Sequence, residues 1–556
     1  MRKKKIRFFL LLTTLFALGI RLLRLGSSPP SMHWDEPSWG YNAWSILKTG
    51  KDEYGNFLPL IFKAFGDYKS AVYVYLAVIS EAIFGLNEFA VRLPAAFFGA
   101  LSIWLTFFAV KEIFIDFKQK ETVALLTSVV LAFSPWHYHY SHGAWEVNVL
   151  LVFLLLGTFY FLKAIRNKKN YLFVSAFFFG LCFYVYNSAK LLIPLLVLGL
   201  ILCFPSWRRS LPIKNIFLSL IILAIMVLPV FKFTLFGGAG GRLKVMSIFS
   251  YPRPQSEKEL ILNQEGKLKE LSFALFHNNL VFFGRGILER YLNHFSPRFL
   301  FFEGDWSNHR HSVPYAGVLN HLTILILPLG AYFLISQKIK NQNFLWYWLA
   351  IAPLPAALSR DIIQATRSYF MVFPLAVVTA FGIYFVFQVI KNWGRVLKVI
   401  LGGSAILLWL FSFIFYLDQF FTHLPYAYSE DWLYGYREAV EFIKDKVDKY
   451  DQVVFTSKYG QPYIYYLFYT QYPPEKYQKQ AKLIEHPEGD VGRVEKVDNI
   501  VFREIYWPKD RFVKNTLYIG ATYEIPLEDI KEDEALVLKE IKFLNGKLAF
   551  RIVETK

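Results

Sequence analysis

The chain is 556 residues long, 55% apolar and 19% aromatic, and its 61 Lys and Arg against 43 Asp and Glu give a formal net charge of +18. A chain this apolar, with positive mean hydropathy, is no ordinary soluble domain, and its two cysteines, Cys182 and Cys203, both lie in apolar stretches, which excludes a disulfide framework. The basic excess is spread through short loops between apolar stretches, which excludes a nucleic-acid partner and points to a multi-pass membrane protein.

Arg2-Lys3-Lys4-Lys5-Ile6-Arg7 opens the chain and an apolar stretch follows to about Leu25. No A-x-A-like cleavage site comes after it, only Arg21 and Arg24, so it reads as an uncleaved first span with a cytoplasmic N-terminus. Spans are expected at roughly 6–25, 88–112, 122–138, 146–164, 171–187, 190–205, 216–236, 318–336, 344–358, 369–390 and 399–417, about eleven in all. Lys111/Lys118/Lys120, Lys163/Arg166/Lys168/Lys169, Arg208/Arg209/Lys214, Lys338/Lys340 and Lys391/Arg395/Lys398 then fall on the cytoplasmic side of the plasma membrane.

Two outer loops are long, 26–87 and 237–317. Within the first, Tyr68–Phe84 is too short and too polar for a span and reads as an interfacial helix. The second opens on Gly237-Gly238-Ala239-Gly240-Gly241, a hinge composition. Residues 1–417 thus form the membrane domain, and 418–556 read as a small extracytoplasmic soluble α/β domain. There the patterns predict helices at Glu430–Lys446 and Pro462–Tyr469, with strands at Gln452–Ser457, Ile500–Tyr506, Thr516–Tyr523, Ala535–Ile541 and Leu548–Val553. The fold class is all-α and polytopic, with that α/β domain appended.

Four polar clusters share the outer face. The first is Asp35-Glu36, with Asp67 and Lys69 further along; the second runs from Trp136-His137 to Glu146 and Asn148. The third is Asp305 to Ser312, including Arg310 and His311; the fourth is Ser359-Arg360-Asp361 with Gln364 and Arg367. Arg92 starts the second span near the same face. Acids, imidazoles and guanidiniums converging on one side of a helical membrane body suggest a single outward-facing site. Group transfer suits it: a carboxylate such as Asp35 takes a proton from an acceptor hydroxyl, and Arg or Lys holds a phosphate leaving group. A leaving phosphate is already a stable anion, so no cofactor is required, and a divalent metal is compatible with the chemistry but not indicated.

Blander readings stand beside these. Asp35 and Glu36 also fit as first-turn acids of a helix, Arg92 as a partner of Glu88, and Arg310 with His311 as partners of Asp305. Arg360 and Arg367 also fit as membrane-boundary residues. His137, His139 and His142 fit ordinary hydrogen bonding better than metal ligation.

Residues 1–417 resemble the GT-C-fold polyprenyl-phosphate-sugar-dependent glycosyltransferases, the broad group with protein O-mannosyltransferases and aminoarabinose transferases. The likeness rests on Asp35-Glu36 in the first outer loop and on Ser134-Pro135-Trp136-His137 continuing to Ser141-His142-Gly143-Ala144-Trp145-Glu146. Gly304-Asp305 with Arg310-His311-Ser312, and Arg367-Ser368 with Pro374, add to it. Where that family's first loop often carries Lys-Pro-Pro, this chain reads Lys69-Ser70-Ala71. The resemblance implies Asp35 as base with Glu36 in support, and a polyprenyl-phosphate sugar as donor. Arg367, Arg92 and Lys69 are the candidates for the donor phosphate, and Asp67, His137, Glu146, Asp305, Arg310 and His311 are further site candidates. It leaves open a protein, lipid or glycan acceptor, and membrane lipids as surroundings. A lipid-linked glycan ligase or polymerase is the near alternative. A transporter or flippase would call for polar residues near the midplane and paired repeats, which the sequence lacks.

Overall fold

The computed structural model describes residues 2–166, 168–236, 245–265, 269–485 and 491–556; the expected hinge at 237–241 lies outside them. In chain order the helices of the membrane part are α1 (Arg2–Leu22), α2 (Asp35–Thr49), α3 (Ala71–Phe84), α4 (Glu88–Ile113), α5 (Lys120–Ala132), α6 (Pro135–His139), α7 (Val147–Arg166), α8 (Tyr171–Cys182), α9 (Ala189–Cys203) and α10 (Ile213–Phe236). They continue with α11 (Gln255–Gln264), α12 (Lys269–Phe276), α13 (Asn279–Asn293), α14 (Thr323–Ser336), α15 (Gln342–Ile351), α16 (Val372–Ile390) and α17 (Arg395–Asp418).

Each predicted span falls on a helix. Among the described residues five stretches are long and apolar enough to cross a bilayer: α4, α7, α10, Tyr369–Ile390 and Arg395–Tyr428. Apart from α1, the helices at the other expected positions are shorter; α8, with 12 residues, rises only about 18 Å against a hydrocarbon core of about 30 Å. The chain is thus a multi-pass, membrane-embedded helical protein. α10 and α17 turn bare apolar side chains outward, such as Phe217, Ile225, Val396 and Phe411, which is the face lipid covers.

Lipid tails are as apolar as leucine, so helices inside a bilayer associate through close packing rather than hydrophobic drive. α14 and α16 use paired glycines for this. A Cβ on Gly330 would sit 1.9 Å from the Val378 carbonyl oxygen, and one on Gly382 would sit 2.3 Å from that of Ile326.

The first outer loop departs from expectation at its centre. The predicted interfacial helix at Tyr68–Phe84 begins only at Ala71; Tyr68 instead belongs to a hairpin of β1 (Ile61–Ala64) and β2 (Asp67–Ser70). Its two-residue turn, Phe65-Gly66, has φ of 57° and 80°, the paired positive values that match the twist of antiparallel strands. α3 then packs between α2 and α4, burying Tyr73, Val74 and Ala77.

Past α17 the described residues form helices and a sheet, together called the α/β unit. Its elements are α18 (Tyr436–Ile443), β3 (Gln452–Phe455), α19 (Pro462–Tyr469), α20 (Pro474–Gln480), β4 (Leu483–Ile484), β5 (Arg493–Val494), β6 (Lys496–Val497), β7 (Ile500–Phe502), β8 (Thr516–Gly520), β9 (Ala535–Lys542) and β10 (Leu548–Thr555). Six strands make one sheet in the order β6-β7-β3-β8-β10-β9; β3 runs parallel to β7 and β8, and the edges are antiparallel. β8 is buried along its whole length, as a strand covered on both faces must be. The sheet docks on the first outer loop through α19 and α20. Tyr465 Oη donates to the Met32 carbonyl at 2.8 Å, Tyr41 Oη to that of Tyr472 at 2.9 Å, and Gln478 Nε2 to Ser45 Oγ and Thr49 Oγ1.

Candidate active site

A cavity of about 300 Å³ opens where the outer loops and the α/β unit meet. Asp35, Lys69, Glu146, Arg310, His311, Arg360, Asp361 and Arg367 all line it, so the four separated clusters do converge.

The two adjacent acids face different ways, because one residue is a turn of about 100° along α2. Asp35, the first residue of α2, turns into the cavity, where Oδ1 accepts from Lys69 Nζ at 2.7 Å. Its charge thus meets a cation on a neighbouring strand. The hairpin aims Lys69 at it, with Lys69 paired to Phe62 across the strands. His33 Nδ1 lies 3.9 Å from Asp35 Oδ2; burial, with Arg310 nearby, holds the His33 imidazole well below its usual range, so it is neutral there.

Glu36 turns into the body of the protein. Its carboxylate takes Arg92 Nε at 2.9 Å and Nη2 at 3.0 Å, and accepts the Ala144 amide at 2.8 Å. Arg92 is 0% exposed, and its other hydrogens go to the carbonyls of Leu25, Pro29 and Ser31 at 2.7–3.2 Å. All five guanidinium hydrogens are consumed and none points at the cavity. The expected phosphate role for Arg92 thus has no geometry behind it: the residue staples the 25–31 segment to α2.

On the opposite wall Arg367 Nη1 donates to Asp361 Oδ2 at 3.1 Å, and Arg360 Nη1 donates to Tyr251 Oη at 3.1 Å. Arg310 Nε donates to Asn308 Oδ1 at 3.3 Å. Lys69, Arg310, Arg360 and Arg367 thus bring four cations to a cavity that also holds the carboxyl groups of Asp35, Glu146 and Asp361.

Asp305 is fully buried behind the wall. Its Oδ1 accepts the amides of Ser307 and Asn308, and its Oδ2 accepts the Ala365 amide at 2.8 Å and pairs with His311 Nδ1 at 3.1 Å. One side chain so locks the Arg310–His311 turn onto the Arg367 loop. Burial pulls the His311 imidazole below its usual value, outweighing Asp305. His139 Nε2 meets the Arg310 carbonyl at 2.7 Å and so must carry the proton; burial holds that imidazole down at about 4, neutral.

His137 lies away from the cavity. Its Nδ1 faces Arg21 Nη2 at 2.9 Å and its Nε2 faces Ser102 Oγ at 2.7 Å, inside a buried network joining α1, α4 and α6. Asp67 starts β2, and its side chain lies outside what is described. Among the described residues no group of three or more His, Cys, Asp or Glu side chains could hold a metal ion.

Sequence reading missed Trp34, Tyr186, Asn187 and Met246, which also line the cavity, and Val491, the contribution of the α/β unit. A signal existed only for Tyr186-Asn187, the polar end of an apolar stretch. The cavity's cover is a close fit: a Cβ on Gly460, at φ +114°, would lie 2.2 Å from the Trp34 ring.

Residues 69–233 match the sequence model of a family described as dolichyl-phosphate-mannose-protein mannosyltransferase. The putative mannosyltransferase YkcB of Bacillus subtilis (strain 168) is 30% identical over 196 residues, 33% of this chain and 26% of the relative. The chain thus matches about a quarter of that relative's length. Two crystal structures of ArnT from Cupriavidus metallidurans share the fold over 98% of this chain and 97% of theirs at 11% identity. The TM-score is 0.53 for the apo state and 0.55 for the form bound to undecaprenyl phosphate. The expected GT-C architecture is therefore present.

Proposed function

We propose that this chain is a membrane glycosyltransferase that moves a sugar from a polyprenyl-phosphate donor to an acceptor hydroxyl in this cavity. One observation carries the reading: Asp35 faces Arg310 and Arg367 across a single cavity, in a chain with the fold of ArnT and a mannosyltransferase-like stretch from 69 to 233. The ArnT structure bound to undecaprenyl phosphate supports a polyprenyl-phosphate donor.

In the reaction, the acceptor oxygen bonds to the anomeric carbon as its proton passes to the Asp35 carboxylate. The bond from that carbon to the phosphate oxygen breaks, and its electron pair leaves with the phosphate, which Arg367 and Arg310 receive. Lys69, salt-bridged to Asp35, holds the base in place and adds positive charge beside the departing anion. Glu36 and Arg92 fix the start of α2 and touch no substrate. A single displacement inverts the anomeric centre. The basic loops favour a cytoplasmic N-terminus, with the cavity and the α/β unit on the extracytoplasmic side.

The test is turnover of purified protein in nanodiscs with radiolabelled polyprenyl-phosphate mannose, reading the released polyprenyl phosphate. Asp35→Asn keeps shape and removes the base, and should lower turnover about 10²- to 10⁴-fold while donor binding persists. Wild-type turnover in Asp35→Asn would remove the base assignment. Polyprenyl phosphate released from no monosaccharide donor, but from an oligosaccharide one, would favour a glycan ligase or polymerase.

A further inference from the structure

The end of the bundle opposite the cavity holds a second, smaller cleft. It measures about 250 Å³ and lies between the N-terminal part of α1, the C-terminal half of α4 and the start of α5. Its composition changes with depth. Arg7, Lys111 and Glu121 form the rim, while Leu10, Trp104 and Phe107 form the interior. Trp104 and Lys111 are seven residues apart on α4, so the lining passes from charged to apolar over two helical turns, about 10 Å.

The charges at the rim do not cancel. Lys111 Nζ is 3.9 Å from Glu121, a loose pair, and 5.8 Å from the centroid of the Phe107 ring. Arg7 is exposed, and no carboxylate among the described residues pairs with it. Lys4 and Lys5 stand exposed one turn earlier on α1. An apolar void of this size in a membrane protein forfeits contact energy unless something apolar fills it. Whatever fills it meets a net positive rim.

We propose that this cleft binds an anionic phospholipid of the adjoining leaflet, with its phosphate at Arg7 and Lys111 and the head of one acyl chain along Leu10, Trp104 and Phe107. Charge selects the ligand: a zwitterionic headgroup gains little from two cations, and inorganic phosphate gains nothing from the apolar depth. A basic pocket between spans at the membrane surface is the kind of site that holds anionic lipid headgroups. The site is separate from the Asp35 cavity and uses none of its residues.

Native mass spectrometry of the full-length protein released from mixed micelles tests this, with dioleoyl-phosphatidylglycerol, dioleoyl-phosphatidylcholine and inorganic phosphate as probes. Phosphatidylglycerol adducts should persist at lipid concentrations at least about tenfold lower than phosphatidylcholine adducts, the factor that about 1.4 kcal/mol provides. Arg7→Gln with Lys111→Gln should erase that preference, whereas Lys4→Gln with Lys5→Gln should keep it. Leu10→Trp fills the apolar depth without touching the charges, and should also lower phosphatidylglycerol retention; it carries the test if the double variant does not fold. Five outcomes overturn the proposal. They are equal retention of the two lipids, persistence of the preference in the folded Arg7/Lys111 variant, loss of the preference in the Lys4/Lys5 variant, wild-type retention in Leu10→Trp, and displacement of the lipid by millimolar inorganic phosphate.

Discussion

Asp35 and Glu36 are neighbours with different work, and two substitutions separate them. Arg92→Gln leaves Glu36 buried without its cation and strands the carbonyls of Leu25, Pro29 and Ser31. Breaking such a pair costs about 3–5 kcal/mol, so this variant should lose most folded protein by size-exclusion chromatography. Arg367→Lys keeps the charge and loses the planar fork, so the folded variant should need about tenfold more donor for half-maximal turnover. An unchanged donor titration would return Arg367 to the role of a boundary residue. The sequence could single out the acid pair, yet it could not tell which acid faces the cavity, because that depends on where α2 begins. It begins at Asp35, so Asp35 points to the hairpin and Glu36 to Arg92. His137 was misplaced for a similar reason: alternating polar residues in a short helix alternate between wall and interior.

At the level of elements, the apolar spans were legible because their signal is composition over many residues, which lipid reads as directly as a hydropathy scale does. The β1–β2 hairpin was not, since its strands have four residues each and their signal is confined to Phe65-Gly66. The contact between α14 and α16 offers a quantitative check. Gly382→Ala forces a methyl against the Ile326 carbonyl and should destabilise by about 1–3 kcal/mol, the usual cost of overpacking. Gly403→Ala in α17 meets nothing within 4 Å and should be neutral, or stabilise by about 0.5–1 kcal/mol. Thermal unfolding in detergent should rank Gly382→Ala well below the wild type and Gly403→Ala level with it or above.

At the scale of the whole molecule, the α/β unit and the membrane body meet at a buried acid. The Glu53 carboxylate accepts from Asn42 Nδ2 at 3.0 Å and from Tyr463 Oη at 3.3 Å, and burial lifts its pKa to about 8. The folded form binds this proton more tightly than the unfolded chain, whose carboxyl titrates near the ordinary value of 4.5. Stability from Glu53 is therefore full below about 4.5 and is lost progressively as pH rises from there to about 8. Limited proteolysis of the α/β unit should accelerate between pH 5 and pH 8, and Glu53→Gln should flatten that dependence. A wild-type pH profile in Glu53→Gln would show that another group governs docking. That a sheet with helices follows the membrane body was legible from the composition change after Leu417, but its share in the cavity was not. No local pattern tells Gly460 that Trp34 will be its neighbour.

The walls of the cavity come from positions as far apart as His33 and Val491. At a synthesis rate of roughly 5–20 residues per second, Asp35 leaves the ribosome about 20–90 s before Val491 does. For that interval the nascent chain carries its acid without that part of the wall, and the full lining exists only once Val491 has reached the first outer loop. A ribosome stalled upstream of Gly460 would leave Trp34 without the glycine it packs against. Synthesis of residue 491 is in this sense the step that completes the cavity's lining.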